Sequence, residues 1–313
     1  MKEIFHKDII NFIRFLSNKY DICYPQKQEN DWVYLKFNPE TEIISPKPRL
    51  TILPPKKFLL PHDEKIFENP ARELNKITTS KPIILFGVNS FDIHALTILD
   101  QVMAGPHKNN AYFKNRNNIT IIGVGPERIN IASKGFDLFL EEHANSYLAI
   151  PGSVKGNKLT KLEFFKTSKI KPKSILSFKD PVFNQLEKIQ NNIEGSYKGK
   201  IWEKIAKTCF GCGICAYVCP LCYCFETEDN YKSGNCDSCR EKKWDACFLP
   251  DFFAVAGHNF RENLSDRIYN WYHHKFVRMP REYGHIGCVD CGRCIEYCPA
   301  KINFKEVLKE LIK

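Results

Sequence analysis

The spacing of apolar residues along the first half of the chain changes from helical to extended and back. Residues 4–16 carry apolar side chains at helical spacing, which predicts an amphipathic helix. Between residues 22 and 60 short apolar runs are interrupted by prolines, which predicts strands and loops. A continuous apolar run at 82–88 predicts a buried strand, and the helical spacing after it predicts a helix with Ser90 as its N-cap.

Further apolar runs extend this pattern to about residue 198. Strands are predicted at 119–124 and near Phe139 and Ala149, so residues 1–198 form a mixed α/β domain. Beyond this boundary a short helix around Trp202 and two longer helices, at 260–276 and 304–312, are predicted from apolar periodicity. No long alternating strand is predicted there, so the fold class is α+β, with residues 199–313 as a separate helical domain.

The amino-acid composition excludes several classes of protein. The 313 residues are 43% hydrophobic, which predicts about two folded domains rather than a disordered chain. The first twenty residues mix charges of both signs among apolar positions, unlike a secretory signal. The other apolar runs are too short to cross a bilayer, which takes roughly 20 residues. The sequence therefore predicts a cytoplasmic protein without a membrane-spanning segment.

The net charge of +10 is unevenly distributed. Residues 199–313 contain 17 Lys and Arg against 15 Asp and Glu, so most of the excess lies in residues 1–198. The lysines there are scattered among apolar and acidic residues and form no basic stripe. This pattern favours docking to an acidic protein partner over binding to nucleic acid.

Fourteen cysteines point to metal chemistry. Cytosolic thiols stay reduced, so these cysteines are not expected to form a disulfide framework. Cys23 stands alone, and the other thirteen lie between Cys209 and Cys298.

Two copies of one cysteine motif, C-x2-C-x2-C-x3-C-P, begin at Cys209 and at Cys288. This spacing is typical of bacterial-type ferredoxins, in which three cysteines bind one [4Fe-4S] cluster and the fourth binds the other cluster. The motifs therefore predict two clusters with crossed ligands. Cluster 1 is assigned Cys209, Cys212, Cys215 and Cys298, and cluster 2 is assigned Cys288, Cys291, Cys294 and Cys219.

The main alternative for these cysteines is zinc. Zinc ribbons also use C-x2-C pairs, and a basic zinc-ribbon protein could bind nucleic acid. However, a zinc ribbon binds its tetrahedral ion with two ligands from each arm. Two motifs that each have three closely spaced cysteines and a fourth one further on do not match that arrangement. The pattern favours iron-sulfur clusters.

A long insert separates Cys219, the end of the first motif, from Cys288, the start of the second. We expect much of the insert, residues 222–287, to be helical, as in the alpha-helical ferredoxin layout of respiratory iron-sulfur subunits. Five more cysteines in the insert suggest a third metal site, either another cluster or zinc, although buried free thiols are the simpler interpretation. These cysteines are Cys222, Cys224, Cys236, Cys239 and Cys247.

Basic side chains close to the cysteine motifs are candidates for adjusting the reduction potentials of the predicted clusters. Basic residues of the insert and second motif, such as Lys275, can donate hydrogen bonds to the sulfur atoms of a cluster and tune the reduction potential of that cluster.

No dinucleotide-binding glycine motif follows a strand, and Pro126 interrupts the nearest candidate. Without a two-electron cofactor the chain cannot exchange hydride, so it needs partner proteins. A small complete reductase with a flavin bound in the N-terminal domain remains a further alternative.

The sequence resembles a known family. Residues 219–225 (CPLCYCF), 240–247 (REKKWDAC), 253–261 (FAVAGHNFR) and 287–294 (GCVDCGRC) resemble the beta subunits of cytoplasmic multisubunit [NiFe] hydrogenases, the sulfhydrogenases. The iron-sulfur subunit of anaerobic sulfite reductase is similar over the same region. The N-terminal resemblance is looser, because Asn89-Ser90-Phe91-Asp92 stands where relatives have Arg-Pro-Cys-Asp.

The resemblance implies a function and partners. In an anaerobic oxidoreductase complex, a protein of this kind relays single electrons between two other subunits. One is a flavin- and NAD(P)-binding reductase subunit, and the other is the catalytic subunit. The catalytic partner would be of hydrogenase type or, as the alternative, a sirohaem sulfite reductase. No catalytic residue is then expected in this chain itself.

Overall fold

The structure is a computed structural model that describes residues 1–40, 49–69, 81–126, 135–175, 180–231 and 238–313. The chain divides into two compact units. The first comprises Met1–Leu59 and Thr78–Lys179, and the second comprises Leu60–Ile77 and Asp180–Lys313. An early segment of the chain thus belongs to the unit that carries the cysteine motifs.

Strands and helices are numbered in chain order. The strands are β1 Lys2–Phe5, β2 Asp21–Gln28, β3 Asp31–Lys36, β4 Asp63–Asn69, β5 Ile83–Val88, β6 Ile119–Gly125, β7 Leu138–Glu142, β8 Ser146–Pro151, β9 Lys166–Thr167, β10 Phe225–Tyr231, β11 Ser238–Trp244, β12 Ala254–Val255 and β13 His258–Asn259. The helices are α1 Ile9–Ser17, α2 Ser90–Met103, α3 Asn110–Asn118, α4 Val154–Leu159, α5 Leu186–Gly195, α6 Lys200–Ala206, α7 Ile214–Tyr217, α8 Leu264–His273, α9 Met279–Tyr283, α10 Arg293–Glu296 and α11 Phe304–Leu311.

The first unit is built on an eight-stranded sheet in the order β3-β2-β5-β6-β7-β8-β1-β9. The strands β2, β5, β6 and β7 run parallel, and the outer strands pair antiparallel. Every residue of β6 is buried, as expected for a central parallel strand covered on both faces. The predicted mixed α/β character of the N-terminal part is confirmed.

The predicted strand and helix after residue 82 are confirmed, with the cap moved by one residue. Asn89, not Ser90, is the N-cap of α2, because its side-chain oxygen accepts a hydrogen bond from the Asp92 backbone N–H at 2.9 Å. The helix packs closely on β6 at Gly123. A Cβ there would lie 2.4 Å from Cδ1 of Ile93 and 2.6 Å from Cδ2 of Phe139, so no larger residue fits.

The helix predicted at residues 4–16 is wrong at its start. Lys2–Phe5 form the strand β1, which pairs antiparallel with β8, and the α-helix begins at Ile9. Ile4 is fully buried and satisfies the helical and the extended pattern equally well. Pairing with a strand far along the chain decides between the two patterns, and local periodicity does not contain that information.

The second unit combines helices with a small sheet. Its apolar core is formed by side chains of α5, α6, α8 and α11 together with neighbouring turns, including Trp202, Trp271, Phe276 and Phe304. The helices predicted around Trp202, at 260–276 and at 304–312 are confirmed as α6, α8 and α11, although α8 begins only at Leu264.

The prediction that no long strand follows residue 199 is wrong. Strands β10 and β11 form an antiparallel hairpin inside the insert, and β4 adds to β11 as a third strand. The hairpin lacks apolar alternation, because most of its positions are polar or charged. Arg240 Nε lies 2.6 Å from Asp229 Oδ1, and Lys243 pairs with Glu228.

None of the helices in the described ranges is long and apolar enough to span a bilayer.

Candidate iron-sulfur centre

The first cysteine motif follows α6 and wraps a tight loop. Gly211 and Gly213 have φ values of 65° and 73°, the left-handed region that glycine adopts without strain. The backbone N–H of Gly211 donates to Cys209 Sγ at 3.4 Å, and that of Leu221 donates to Cys219 Sγ at 3.4 Å. Helix α7 starts immediately after Gly213 and carries Cys215. The loop therefore holds Cys209, Cys215 and Cys219 partly buried, whereas Cys212 is exposed.

The second motif repeats this geometry. Asp290 and Gly292 have positive φ values of 56° and 81°, and α10 begins directly after Gly292. The Asp290 backbone N–H donates to Cys288 Sγ at 3.3 Å, and that of Ile302 donates to Cys298 Sγ at 3.3 Å. Hydrogen bonds of this kind stabilise thiolates and tune cluster potentials. The repeat in the sequence is thus a repeat in structure.

A first cavity, of about 60 Å³, collects thiols from both motifs. Three cysteines of the first motif line it together with the last cysteine of the second motif. Cys294 also contributes to its wall. The cysteines predicted to bind cluster 1 therefore face one space: Cys209, Cys212, Cys215 and Cys298.

A second cavity, of about 20 Å³, has the complementary lining. Its cysteines are the first three of the second motif and the last of the first motif: Cys288, Cys291, Cys294 and Cys219. These are the four cysteines predicted for cluster 2. Two sets of four thiols, each facing one cavity, fit the ligand requirement of two [4Fe-4S] clusters.

Burial of some of these thiols makes bound iron important for their charge. Burial raises the pKa of the Cys288 thiol to about 12. Burial also raises the pKa of the Cys215 and Cys294 thiols well above the usual value. Without metal these side chains stay protonated at neutral pH. Thiolates are the form that ligates iron, so cluster binding must release protons and supply compensating positive charge.

Lys275 lies beside the second cavity on a π-helical turn, His274–Arg278, that follows α8. Its Nζ donates to Cys219 Sγ at 3.2 Å and to the Gly287 carbonyl oxygen at 2.9 Å. Burial works to lower the pKa of Lys275, but the thiols around it outweigh burial and raise the pKa well above its usual value. A buried cation is therefore held next to a predicted cluster ligand, consistent with the tuning role expected from the sequence.

Trp271 on α8 lines both cavities, and sequence analysis did not identify it. The side chain is 5% exposed, and its indole N–H meets no acceptor among the residues that the structure describes. The Lys275 ammonium lies 5.1 Å from its ring centroid. The helical period of α8 predicts only that Trp271 lies in the core. The neighbouring sequence does not indicate that it lines the two cavities.

The additional cysteines of the insert separate into two groups. Cys222, Cys224 and Cys247 line a third cavity, of about 360 Å³. Cys239 is absent from that lining; it lies on β11, with its thiol 3.8 Å from a Glu241 carboxylate oxygen. Cys236 is outside the described residues. Among the residues with described positions, no three His, Cys, Asp or Glu side chains are close enough together to hold a single metal ion.

Comparison with known proteins agrees with this geometry. Residues 208–302 match a family model described as a 4Fe-4S dicluster domain. The chain is 34% identical to the sulfhydrogenase 2 subunit beta of Pyrococcus furiosus over 283 residues, covering 83% of each protein. No solved structure matches.

Proposed function

The chain belongs to the family of sulfhydrogenase beta subunits, and from that premise we propose that it relays single electrons between two partner subunits. One partner is a flavin- and NAD(P)-binding reductase subunit, and the other is a catalytic subunit of hydrogenase type. The chain itself contributes no catalytic residue in this proposal. It works in the cytoplasm, without a membrane or nucleic acid as partner.

One observation carries this proposal. Two cavities each collect the three leading cysteines of one motif and the last cysteine of the other, and Cys294, Trp271 and Phe304 line both cavities. Bound [4Fe-4S] clusters supply the ability to accept and release one electron at a time. The residues of the chain hold the thiols in place, exclude water and place the Lys275 charge beside Cys219.

We also propose that the two parts of the chain have different functions. Residues 199–313 would form an alpha-helical ferredoxin-like domain, supported by α7 and α10, each of which begins within a cysteine motif. Residues 1–198 would dock to a partner, supported by the positive charge concentrated there.

The proposal is tested on the full chain purified without oxygen. We expect at least about eight irons per chain, which is the content of two cubane clusters, and a broad visible absorption that bleaches on reduction with dithionite. Reoxidation by a one-electron dye should restore the absorption. Hydrogen, sulfite and NAD(P)H should not be turned over by the isolated chain, because it lacks a two-electron cofactor.

A matched pair of variants separates cluster binding from general damage to the protein. Cys212→Ser, at the first cavity, should lower the iron content and the bleachable absorption. Cys23→Ser changes a cysteine on β2 in the other unit and should leave both unchanged. Turnover of hydrogen, sulfite or NAD(P)H by the isolated chain would contradict the relay role. A colourless protein that contains zinc alone would contradict the clusters.

A further inference from the structure

The hairpin in the insert brings distant cysteines together around the third cavity. Cys222 and Cys224 precede β10, and Cys247 follows β11, whose ends are paired through Phe225 and Trp244. The Asp245 backbone N–H donates to the Cys224 carbonyl oxygen at 3.1 Å and continues the pairing beyond the strands. Antiparallel pairing therefore places cysteines from before and after the hairpin on the wall of one space.

The three thiols interact with one another, and that of Cys247 is buried. Cys247 is 6% exposed, and its thiol hydrogen-bonds with that of Cys224. Cys222 hydrogen-bonds with Cys219 of the first motif and interacts electrostatically with Cys224 and Cys247. None of the three is needed for the two sets of four thiols at the other cavities. Three thiols facing one cavity are a ligand set that those two sites leave unused.

The charge around this cavity suits an anionic metal cluster. Arg261, Lys275 and Arg278 are among its lining residues, and no Asp or Glu side chain is found in the described lining. Thiolate-ligated [4Fe-4S] clusters carry net negative charge, which nearby cations stabilise. The space of about 360 Å³ exceeds the 60 and 20 Å³ of the two cavities formed by the motifs. Volume does not restrict a cluster here.

A fourth ligand is available on the same wall. The described lining contains a single imidazole, that of His274, one residue before Lys275. Imidazole replaces thiolate in some iron-sulfur centres, where it raises the reduction potential. A single zinc ion fits less well. With zinc-sulfur bonds of about 2.3 Å its ligands must converge tightly, and no described group does so.

We propose that Cys222, Cys224 and Cys247 bind a third [4Fe-4S] cluster, with His274 as its fourth ligand. The site goes beyond the two-cluster relay and does not depend on which partners exchange electrons with the chain. Lys275 and Trp271 line this cavity and the second cavity, so a third cluster would extend the relay on that side.

The first test counts irons in the full chain, reconstituted and handled without oxygen. The wild type should contain about twelve irons, and the variant Cys222→Ser/Cys224→Ser/Cys247→Ser should lose about four of them. The signals of the two motif clusters in electron paramagnetic resonance should persist in this variant. Their persistence shows that the fold and the two-cluster site are intact, so failure of this inference is distinguishable from failure of the relay proposal.

The matched control is Cys239→Ser, which removes a cysteine of the same hairpin that does not line the cavity. It should keep all of the irons. About eight irons in the wild type, with no loss in the triple variant, would overturn the proposal. A disulfide between Cys224 and Cys247 in the anaerobic protein, or zinc lost from the triple variant in place of iron, would overturn it as well.

A second variant tests the imidazole ligand. His274→Cys should retain about twelve irons, while the midpoint potential of one cluster falls, because thiolate stabilises the oxidised cluster more than imidazole does. The other two midpoint potentials should stay within error of the wild type. Unchanged potentials in this variant would overturn the assignment of His274.

Discussion

Lys275 Nζ donates a hydrogen bond to Cys219 Sγ over 3.2 Å, and the lysine that makes it is 4% exposed. The π-helical turn after α8 places the lysine there. A buried ammonium is costly to desolvate unless it is paired, and the electron-rich sulfur of a cluster ligand is a suitable partner. The geometry of this helical turn therefore places a positive charge where it can affect the reduction potential of the cluster proposed at the second cavity.

Replacing Lys275 by Met should lower the reduction potential of the cluster bound at the second cavity. A unit charge about 6 Å from the cluster in a medium of effective dielectric constant about 20 corresponds to roughly 3 kcal/mol, or on the order of 100 mV for one electron. Removing it disfavours the more negative, reduced state. Redox titration followed by electron paramagnetic resonance measures the shift.

The control for this change is Lys204→Met, which alters a lysine that is 68% exposed and paired with Glu310. It should leave all of the potentials unchanged. An unchanged or higher potential in Lys275→Met would show that the ammonium does not act on the cluster.

Loss of a fourth cysteine should damage the cluster of the other motif. Cys219→Ala should remove the cluster that is ligated by Cys288, Cys291 and Cys294, and Cys298→Ala should remove the cluster of the first motif. The reason is that each cavity takes its fourth thiol from the distant motif. Iron content and Mössbauer spectra of the two variants identify which cluster is lost. If Cys219→Ala leaves the Cys288 cluster intact, the crossed assignment is wrong.

Trp271→Phe should lower the potential of at least one motif cluster by tens of millivolts, on the order of one hydrogen bond. The indole N–H has no acceptor within the described structure, and the ring lines both cavities, so a cluster sulfur is its expected partner. Trp202→Phe is the matched control. Trp202 is equally buried, but its N–H donates to the Ser196 carbonyl oxygen at 2.7 Å. Equal potentials in the wild type and Trp271→Phe would contradict this role.

Tyr112→Phe should destabilise the first unit by about 2 kcal/mol, the usual cost of losing a buried hydrogen bond to a charged group. The Tyr112 hydroxyl donates to Asp100 Oδ1 at 2.6 Å, and Arg116 Nε lies 3.3 Å from the other carboxylate oxygen. Hydrogen exchange of β5 and β6 in increasing urea measures the change. Tyr197→Phe, at a side chain that is 57% exposed, should have almost no effect. Equal protection in both variants would contradict the prediction.

The parts of the site that the sequence predicts are those encoded by local spacing. The two motifs place left-handed glycines and backbone N–H groups beside their own cysteines, and this geometry depends on neighbouring residues within each motif. The buried strands β5 and β6 are also predictable, because continuous apolar runs have few alternatives.

The parts that the sequence does not reveal depend on long-range pairing. Strand β4 joins β11 although the two lie far apart in the chain, and the same holds for β1 and β8. The hairpin of β10 and β11 is stabilised by charge pairs such as Arg240 with Asp229, which period-two hydrophobicity does not detect. Cys222, Cys224 and Cys247 meet only after that hairpin forms, so spacing alone does not select these three from the five cysteines of the insert.

The exchange of fourth cysteines also constrains the order of assembly. The second cavity lacks its complete set of thiols until residue 294 has been synthesised and folded back to residue 219, and the first cavity until residue 298 has folded back to residue 209. The insert between Cys219 and Cys288 then forms a loop whose ends are fixed at the second cavity, and this closure has an entropic cost. Cluster insertion must therefore be a late event in biogenesis. A chain that receives only one cluster would still have its two motifs bridged and would be predisposed to accept the other.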